Sequence, residues 1–389
     1  MSTRVDPVPP AAARSLSLDL VTETFPPDGN GVAMTLGCLV DGMRRRGHLV
    51  EVIRPRQSRR ELSSDCLVSG FPIPRYPGLR AGWPAFGQLI RRWRRRAPDV
   101  VHVATEGPLG WSAVHAARAL SLPVTSGFHT NFHSYSRHYG FGWLYRPISA
   151  YLRGLHNRTQ STLVPTVRLA QELLQQGYRN VEVLSRGVDR KLFHPGRRAT
   201  GLRDAWGIPR GGLAVLHVGR LASEKNLGLV TAAFDAIRRA RPDARMVWVG
   251  DGPQRRALEE AHPDHCFCGW RRGEDLAAHY ASGDLFLFPS LTETYGNVTL
   301  EALASGVPTV AFACAAAAEL VVQNDNGLTV PAGNEAAFVA AALGLASEPA
   351  RLAAMHQRTA ASVVRHDWDV VLDGFETILK GIASRDATR

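Results

Sequence analysis

Glu293 and Glu301, eight positions apart, and Arg220 and Lys225, five apart, are the side chains whose types and spacing could do chemistry. Glu293 opens the run Glu-Thr-Tyr-Gly-Asn-Val-Thr-Leu-Glu301, with Gly296 near its centre. A glycine there lets the backbone approach a ligand, and a helix starting just after it presents unpaired N–H groups and a positive dipole to an anion. Glu301 then lies one to two turns into that helix, so the two carboxylates can address different ends of one elongated ligand. Arg220 and Lys225 stand in Gly219-Arg-Leu-Ala-Ser-Glu-Lys-Asn226, ahead of a helical stretch. A planar guanidinium, a compact ammonium and a helix N-terminus together suit a diphosphate. Each feature alone has a plain alternative, a solvated surface charge. Their conjunction argues for a site.

Strands must deliver these residues. Asp284-Leu-Phe-Leu-Phe-Pro289 predicts a buried strand, 298–305 a helix, and Thr309-Val-Ala-Phe312 another strand. Residues 214–218 predict the strand that carries Gly219, and 227–239 the helix beyond Lys225. Between them come a strand over 244–249 with the turn Gly250-Asp-Gly-Pro253, a shorter strand over 266–270 and a helix over 275–281. In an open parallel sheet the loops after the strands lie where ligands bind.

The first half has the same rhythm. Strands are expected over 15–21, 49–53, 98–103 and 160–165, with one more ending ahead of His129. Helices are expected over 33–46, 85–96, near 113–120, and after Pro165 to about 176. Gly29 and Gly31 flank the first strand-to-helix turn, where phosphate or sugar could approach, but the spacing is not Gly-x-Gly-x-x-Gly, so a dinucleotide fingerprint is absent. Residues 195–212 read as a linker, 335–361 as helical and 368–382 as a final amphipathic helix. Three histidines follow the fifth strand, His129, His133 and His138, without a carboxylate or cysteine at the spacing a zinc site needs.

A chain of 389 residues allows two domains with sizeable cores. No apolar run approaches the roughly 20 residues of a membrane span. Residues 1–14 are rich in Pro and Ala without a signal peptide's apolar core, and the five scattered cysteines fit a reduced, cytoplasmic setting. The net charge of +11 comes almost wholly from arginine, since only Lys191, Lys225 and Lys380 are lysines. That balance suits acidic ligands such as nucleotide diphosphates or anionic lipids; no nucleic-acid-binding motif is present. Arg91, Arg92, Arg94, Arg95 and Arg96 share a predicted helix with Phe86, Leu89, Ile90 and Trp93. Such a helix can lie on an anionic membrane, although most are solvated surface helices.

The glutamate block, with its tail Ala-Leu-Ala-Ser-Gly-Val-Pro308, resembles the E-x7-E signature of the group-1 retaining glycosyltransferases. Gly219-Arg220 with Glu224-Lys225-Asn226, Phe128-His129-Thr-Asn-Phe132 and Gly187-Val-Asp189 resemble further motifs of that family. Phe25-Pro-Pro, Gly31-Val32 and Arg46-Gly-His48 resemble its opening, with Asn30 where the family has the first of two glycines. The resemblance covers nearly the whole chain. It implies an α/β, GT-B architecture: two facing Rossmann-like, doubly wound domains with an interdomain cleft. The expected bounds are 1–198 for the acceptor-side domain, 199–365 for the nucleotide-sugar domain and 366–389 for a helix crossing back.

The resemblance also implies roles. Arg220 and Lys225 neutralise the leaving diphosphate, Glu293 holds donor-sugar hydroxyls, Glu301 holds the ribose and His129 contacts the donor sugar. Gly31, Gly219, Gly250, Tyr295, Gly296, Asn297 and Val298 complete the expected donor-binding set. Transfer is expected from the front face with retention, with no metal or other cofactor required. The donor that fits best is GDP-mannose and the acceptor a lipid or saccharide, with peripheral contact to the inner face of the cytoplasmic membrane. UDP-glucose or UDP-glucuronate are alternative donors. A sugar-nucleotide 2-epimerase, or a binding protein without catalysis, are the other classes compatible with the residues.

Overall fold

The structure, a computed structural model, describes residues 15–386 apart from 29, 59–60, 62, 74–79, 130–144 and 294. His133 and His138 therefore lie outside the described residues. Among the described residues, nine strands come from the first half: β1 Ser17–Val21, β2 Leu49–Pro55, β3 Cys66–Val68, β4 Gly70–Pro72, β5 Arg80–Gly82, β6 Val100–Val103, β7 Val124–Gly127, β8 Ser161–Val164 and β9 Val181–Val183. Six come from the second: β10 Ala214–Val218, β11 Arg245–Val249, β12 Cys266–Gly269, β13 Leu285–Phe288, β14 Thr309–Phe312 and β15 Gly327–Val330.

Two parallel sheets result. One runs in the order β3-β2-β1-β6-β7-β8-β9, the other β12-β11-β10-β13-β14-β15, with β4 and β5 as a separate antiparallel pair. In both sheets the chain starts in the middle, winds outward, then returns to the centre and winds the other way. This is doubly wound topology, and its switch points fall between β1 and β6 and between β10 and β13. Neighbours that approach from opposite directions leave a crevice outside their carboxyl ends, which selects the loops that can hold a ligand.

The strands at the second switch point are apolar on both faces because helices cover both. All residues of Leu285–Phe288 and Thr309–Phe312 are buried. Phe286 and Phe288 pack into one core layer with Leu300 and Leu303, while Leu285 and Leu287 pack into the other with Phe234 and Trp248. Burying each such side chain contributes about 1.5–3 kcal/mol.

Contacts divide the molecule into two compact units. The first comprises the described residues up to Ser126, Arg158–Gln160 and those from Glu376 onward; the second comprises those of Gly127–Asn157 and Ser161–Phe375. Within the first, Glu376 accepts from Lys380 and, at 2.9 Å, from Arg46, and these two hydrogen bonds hold its carboxyl down at about 2 against the opposing effect of burial; His48 Nε2 lies 3.2 Å away.

Several expected elements are revised. The helix expected near 113–120 begins at Pro108, which suits the first helical position because its missing N–H would be unpaired there anyway. The stretch expected to be helical over 335–361 is broken: Glu335–Ala346 ends before Pro349, and the segment Pro349–His366 departs at 95°. The helices Tyr145–His156 and Arg255–Ala261 were not expected from the sequence. Asn30, in place of a glycine, caps the helix Gly31–Arg45, accepting from the N–H groups of Val32 and Ala33 at 3.1 and 2.9 Å.

The arginine-rich helix Phe86–Arg95 uses its apolar side internally. Leu89 and Trp93 are buried, and Trp93 Nε1 donates to Asp19 at 2.8 Å. Arg92 and Arg96 both pair with Glu51. Arg91, Arg94 and Arg95 remain exposed, as are Trp83 and Phe86 at the helix start. Of the apolar residues expected to reach a membrane, Leu89 and Trp93 are thus withdrawn, Ile90 is half-buried and Phe86 stays exposed, with Trp83 ahead of the helix as an addition. Among the described residues no single helix is long and apolar enough to cross a membrane.

Candidate active site

The second switch point brings the two charged motifs together. After β10 the chain passes Gly219 and Arg220 and makes a short 3-10 turn, Ser223–Lys225, before the helix Leu227–Ala240. After β13 it passes Ser290 and Glu293 and enters the helix Asn297–Ala304. Because β10 and β13 are adjacent, Lys225 Nζ meets Glu293 Oε1 in an ion pair. Ser290 Oγ donates to the same carboxylate oxygen at 2.9 Å, and the ammonium stands 5.7 Å from the centre of the Phe288 ring. Thr292 Oγ1 donates to the Glu224 carbonyl at 3.3 Å, which ties the two loops along their length. Arg220 is 62% exposed and only loosely engaged, 3.8 Å from Glu224, so its fork can turn toward a ligand.

Glycines make this edge dense. Gly219 and Gly250 have φ of +148° and +140°, conformations that a side chain rarely allows. A Cβ on Gly250 would come within 1.9 Å of the Gly219 carbonyl oxygen, so the two strand ends approach this closely only with a glycine at 250. Gly296, at φ +91°, caps the helix Asn297–Ala304 from outside without a side-chain hydrogen bond. Asn297 and Val298 form the first turn and Val298 packs on the core beneath it.

Glu301, on that helix, accepts from Tyr280 Oη at 2.9 Å. Burial pushes its carboxyl up to about 7, against the lowering effect of the tyrosine. Tyr295 is buried, its hydroxyl 3.2 Å from Ser185 Oγ, and burial pushes it up to about 12. Ser185 in turn reaches His366 Nδ1 at 3.0 Å. His129, at the end of β7, receives Arg186 Nη2 on Nδ1 at 3.1 Å. A Cβ on Gly127 would lie 2.4 Å from His129 Nε2, so the imidazole occupies this place only because residue 127 has no side chain.

Of the residues singled out from the sequence, Lys225 and Glu293 are joined directly, and Gly219 touches Gly250. Arg220 follows Gly219 in the same loop, while Tyr295, Gly296, Asn297, Val298 and Glu301 follow Glu293 in the other. Gly31 is the first residue of its helix in the first unit. Four residues escaped sequence reading: Arg186, Ser290, Tyr280 and His217. His217 lies in β10, fully buried, with Nδ1 3.0 Å from the Leu287 carbonyl. Burial pushes it down to about 4, so it is a neutral packing partner for Phe288 and Trp248. Tyr280 carried no signal because it reaches Glu301 across 21 residues, and Ser290, three residues ahead of Glu293, is a common loop residue whose rotamer the sequence does not set. Arg186, just ahead of Gly187-Val-Asp189, was visible as a cation beside a motif. Among the described residues, no group of three or more side chains is placed to hold a metal ion.

Two doubly wound parallel sheets, with cations and carboxylates converging at the second switch point, define a glycosyltransferase of the GT-B class. Residues 29–192 match Glycosyltransferase Family 4, and residues 212–348 match Glycosyl transferases group 1. The chain is 34% identical over 381 residues to a GDP-mannose-dependent alpha-mannosyltransferase of Mycobacterium tuberculosis, covering 95% of this chain and 98% of that protein. A protein of the same name from Mycolicibacterium smegmatis is 36% identical over 363 residues, with 91% and 94% covered. Among solved structures, a sucrose-phosphate synthase from Thermosynechococcus elongatus superposes with a TM-score of 0.74 at 16% identity, covering 95% of this chain and 99% of that one. The chain belongs to glycosyltransferase family 4, the group-1 retaining hexosyltransferases, which draw their sugars from nucleotide donors.

Proposed function

We propose that this enzyme transfers mannose from GDP-mannose, with retention, to a lipid or lipid-linked saccharide acceptor. The observation that carries the reading is the Lys225–Glu293 pair at the carboxyl edge of β10 and β13. When the sugar–phosphate bond breaks, negative charge grows on the diphosphate and positive charge on the anomeric carbon. In this reading Lys225 leaves Glu293 for the diphosphate, Arg220 closes on the same group, and the helix start at Asn297 adds its dipole. Glu293, released, accepts from hydroxyls of the transferred sugar, and Glu301 accepts from the ribose. His129 meets the sugar from the side of β7. The departing phosphate takes the acceptor's proton on the face it leaves, so the anomeric configuration is kept. Residues 199–365 form the donor half, residues 1–198 the acceptor half and 366–389 a returning helix. The similarity to the two GDP-mannose-dependent mannosyltransferases supports mannose and the guanine base, and the exposed Arg91, Arg94 and Arg95 beside Trp83 and Phe86 support a lipid acceptor.

The test is a transfer assay with labelled GDP-mannose, UDP-glucose and UDP-glucuronate, each with membrane lipids as acceptor. Lipid-soluble α-linked mannose from GDP-mannose alone is the expected product. Transfer only from a uridine nucleotide would replace the donor. Interconversion of the free nucleotide sugar without an acceptor would make the protein an epimerase.

A further inference from the structure

Among the described residues, Arg186 is an arginine whose donors are not all satisfied. Its side chain is 5% exposed, and one of its nitrogens, Nη2, donates to His129 Nδ1 at 3.1 Å. Its other two donors, Nε and Nη1, are buried without a hydrogen-bond partner among the described residues. No ion pair with a carboxylate offsets it there, and burial draws it down to about 10, so it still carries its charge at neutral pH. A buried cation with free donors is expensive, and structural arginines are normally paired. Arg54 in the first unit shows the ordinary solution, equally buried but clasped by Asp65 and Glu61 at 2.7 and 2.6 Å.

The position says what the missing partner is. Arg186 stands between the two loops assigned to the donor: His129 on one side, and Tyr295, two residues past Glu293, on the other, whose hydroxyl accepts the Arg186 main-chain N–H. A guanidinium can only donate, so His129 Nδ1 must be the acceptor and the imidazole proton resides on Nε2. Arg186 thus presents only donors here, Nε and Nη1, which have no partner among the described residues. Neutral hydroxyls need an acceptor somewhere in such a set; an oxyanion does not.

We propose that Arg186 is a substrate-binding residue whose free Nε and Nη1 receive an anionic oxygen group, phosphate or carboxylate, of the nucleotide sugar or of the acceptor, and whose Nη2 orients His129 toward the same ligand. This rests on the transferase reading of the site. The bond is charge-assisted and, for a planar guanidinium, two-pronged, which sets geometry as well as affinity.

The test compares Arg186→Met, which fills the space without charge, and Arg186→Lys, which keeps the charge. Three readouts are taken: Tm without ligand, affinity by calorimetry for GDP against guanosine, and inhibition of donor hydrolysis by glycerol phosphate against glycerol. For Arg186→Met we expect a Tm at or above that of the wild type, because an unpaired buried charge has been removed, together with at least tenfold weaker binding of an anion. Loss confined to GDP assigns the donor diphosphate; loss confined to glycerol phosphate assigns the acceptor. Arg186→Lys should recover part of the loss. A lowered Tm with unchanged anion affinities makes Arg186 structural and overturns the proposal. So do affinities within twofold of the wild type, or weakened binding that lysine does not restore. If the wild-type protein binds no nucleotide and transfers no sugar, the transferase reading fails first, whatever the variants do.

Discussion

Lys225 and Glu293, 68 residues apart in sequence, form an ion pair in which Ser290 holds the same carboxylate oxygen at 2.9 Å. Both side chains are more than four-fifths buried, so bulk water stabilises each charge far less than it would at the surface. The pair can be read as a latch: cation and anion neutralise each other until a ligand offers the cation a phosphate and the anion hydroxyls.

If the latch delivers both charges to the reaction, Lys225→Met and Glu293→Gln should each lower kcat by about 10²–10³-fold, the range for removing one group that meets charge in a transition state. Thermal unfolding would show both variants still folded. Turnover within a few-fold of the wild type in either would remove that residue from the mechanism.

The pH dependence of stability should carry the signature of buried carboxyls. Burial pushes Glu301 and Glu23 up to about 7 from about 4.5. Their folded form holds the proton more tightly than the unfolded chain, so their contribution is complete below the unfolded value and is lost as pH rises through about 7. His102, His217 and His265, pushed down to about 4 by burial, act oppositely: their contribution is present above about 6.5 and lost as pH falls toward 4. Subtracting the wild-type Tm from that of Glu301→Gln isolates the carboxyl. The difference should grow in favour of the variant from about pH 5 to about pH 8. A difference independent of pH would contradict the burial of Glu301.

Gly250→Ala places a Cβ against the Gly219 carbonyl and strains a φ of +140°. A loss of about 1–3 kcal/mol is expected from backbone strain of this kind. Because the displaced backbone leads directly to Arg220, nucleotide affinity measured by calorimetry should fall along with Tm. A variant that loses stability but binds GDP normally would show that Gly250 packs the strand ends without shaping the donor site.

Reversing Arg91, Arg94 and Arg95 to glutamate should weaken binding to phosphatidylserine vesicles by roughly 10²-fold, at about 1 kcal/mol for each basic residue near an anionic surface. Arg92 and Arg96 are left alone because Glu51 already engages them. Added salt should reduce wild-type binding in the same direction. Equal sedimentation of the two proteins with vesicles would make these arginines an ordinary solvated face.

The sequence by itself determined the strands, the helix starts and the charged motifs. Ala214–Val218 and Thr309–Phe312 appear where the apolar runs put them, because a strand covered on both faces has to be apolar throughout and its glycine or proline borders act locally. The family and its charged loops were legible for the same reason, since each motif is contiguous. What the tertiary structure alone decided is which residues meet. Lys225 reaches Glu293 only because β10 and β13 are adjacent, Trp93 reaches Asp19 across 74 residues, and Arg186 reaches His129 across 57. The broken helix at Pro349 and the inward turn of Leu89 and Trp93 belong to the same class. Local pattern sets what each segment can be. Strand order and long-range packing set what each side chain faces, and that is why a cation such as Arg186, with donors unmatched among the described residues, becomes visible only once the chain is folded.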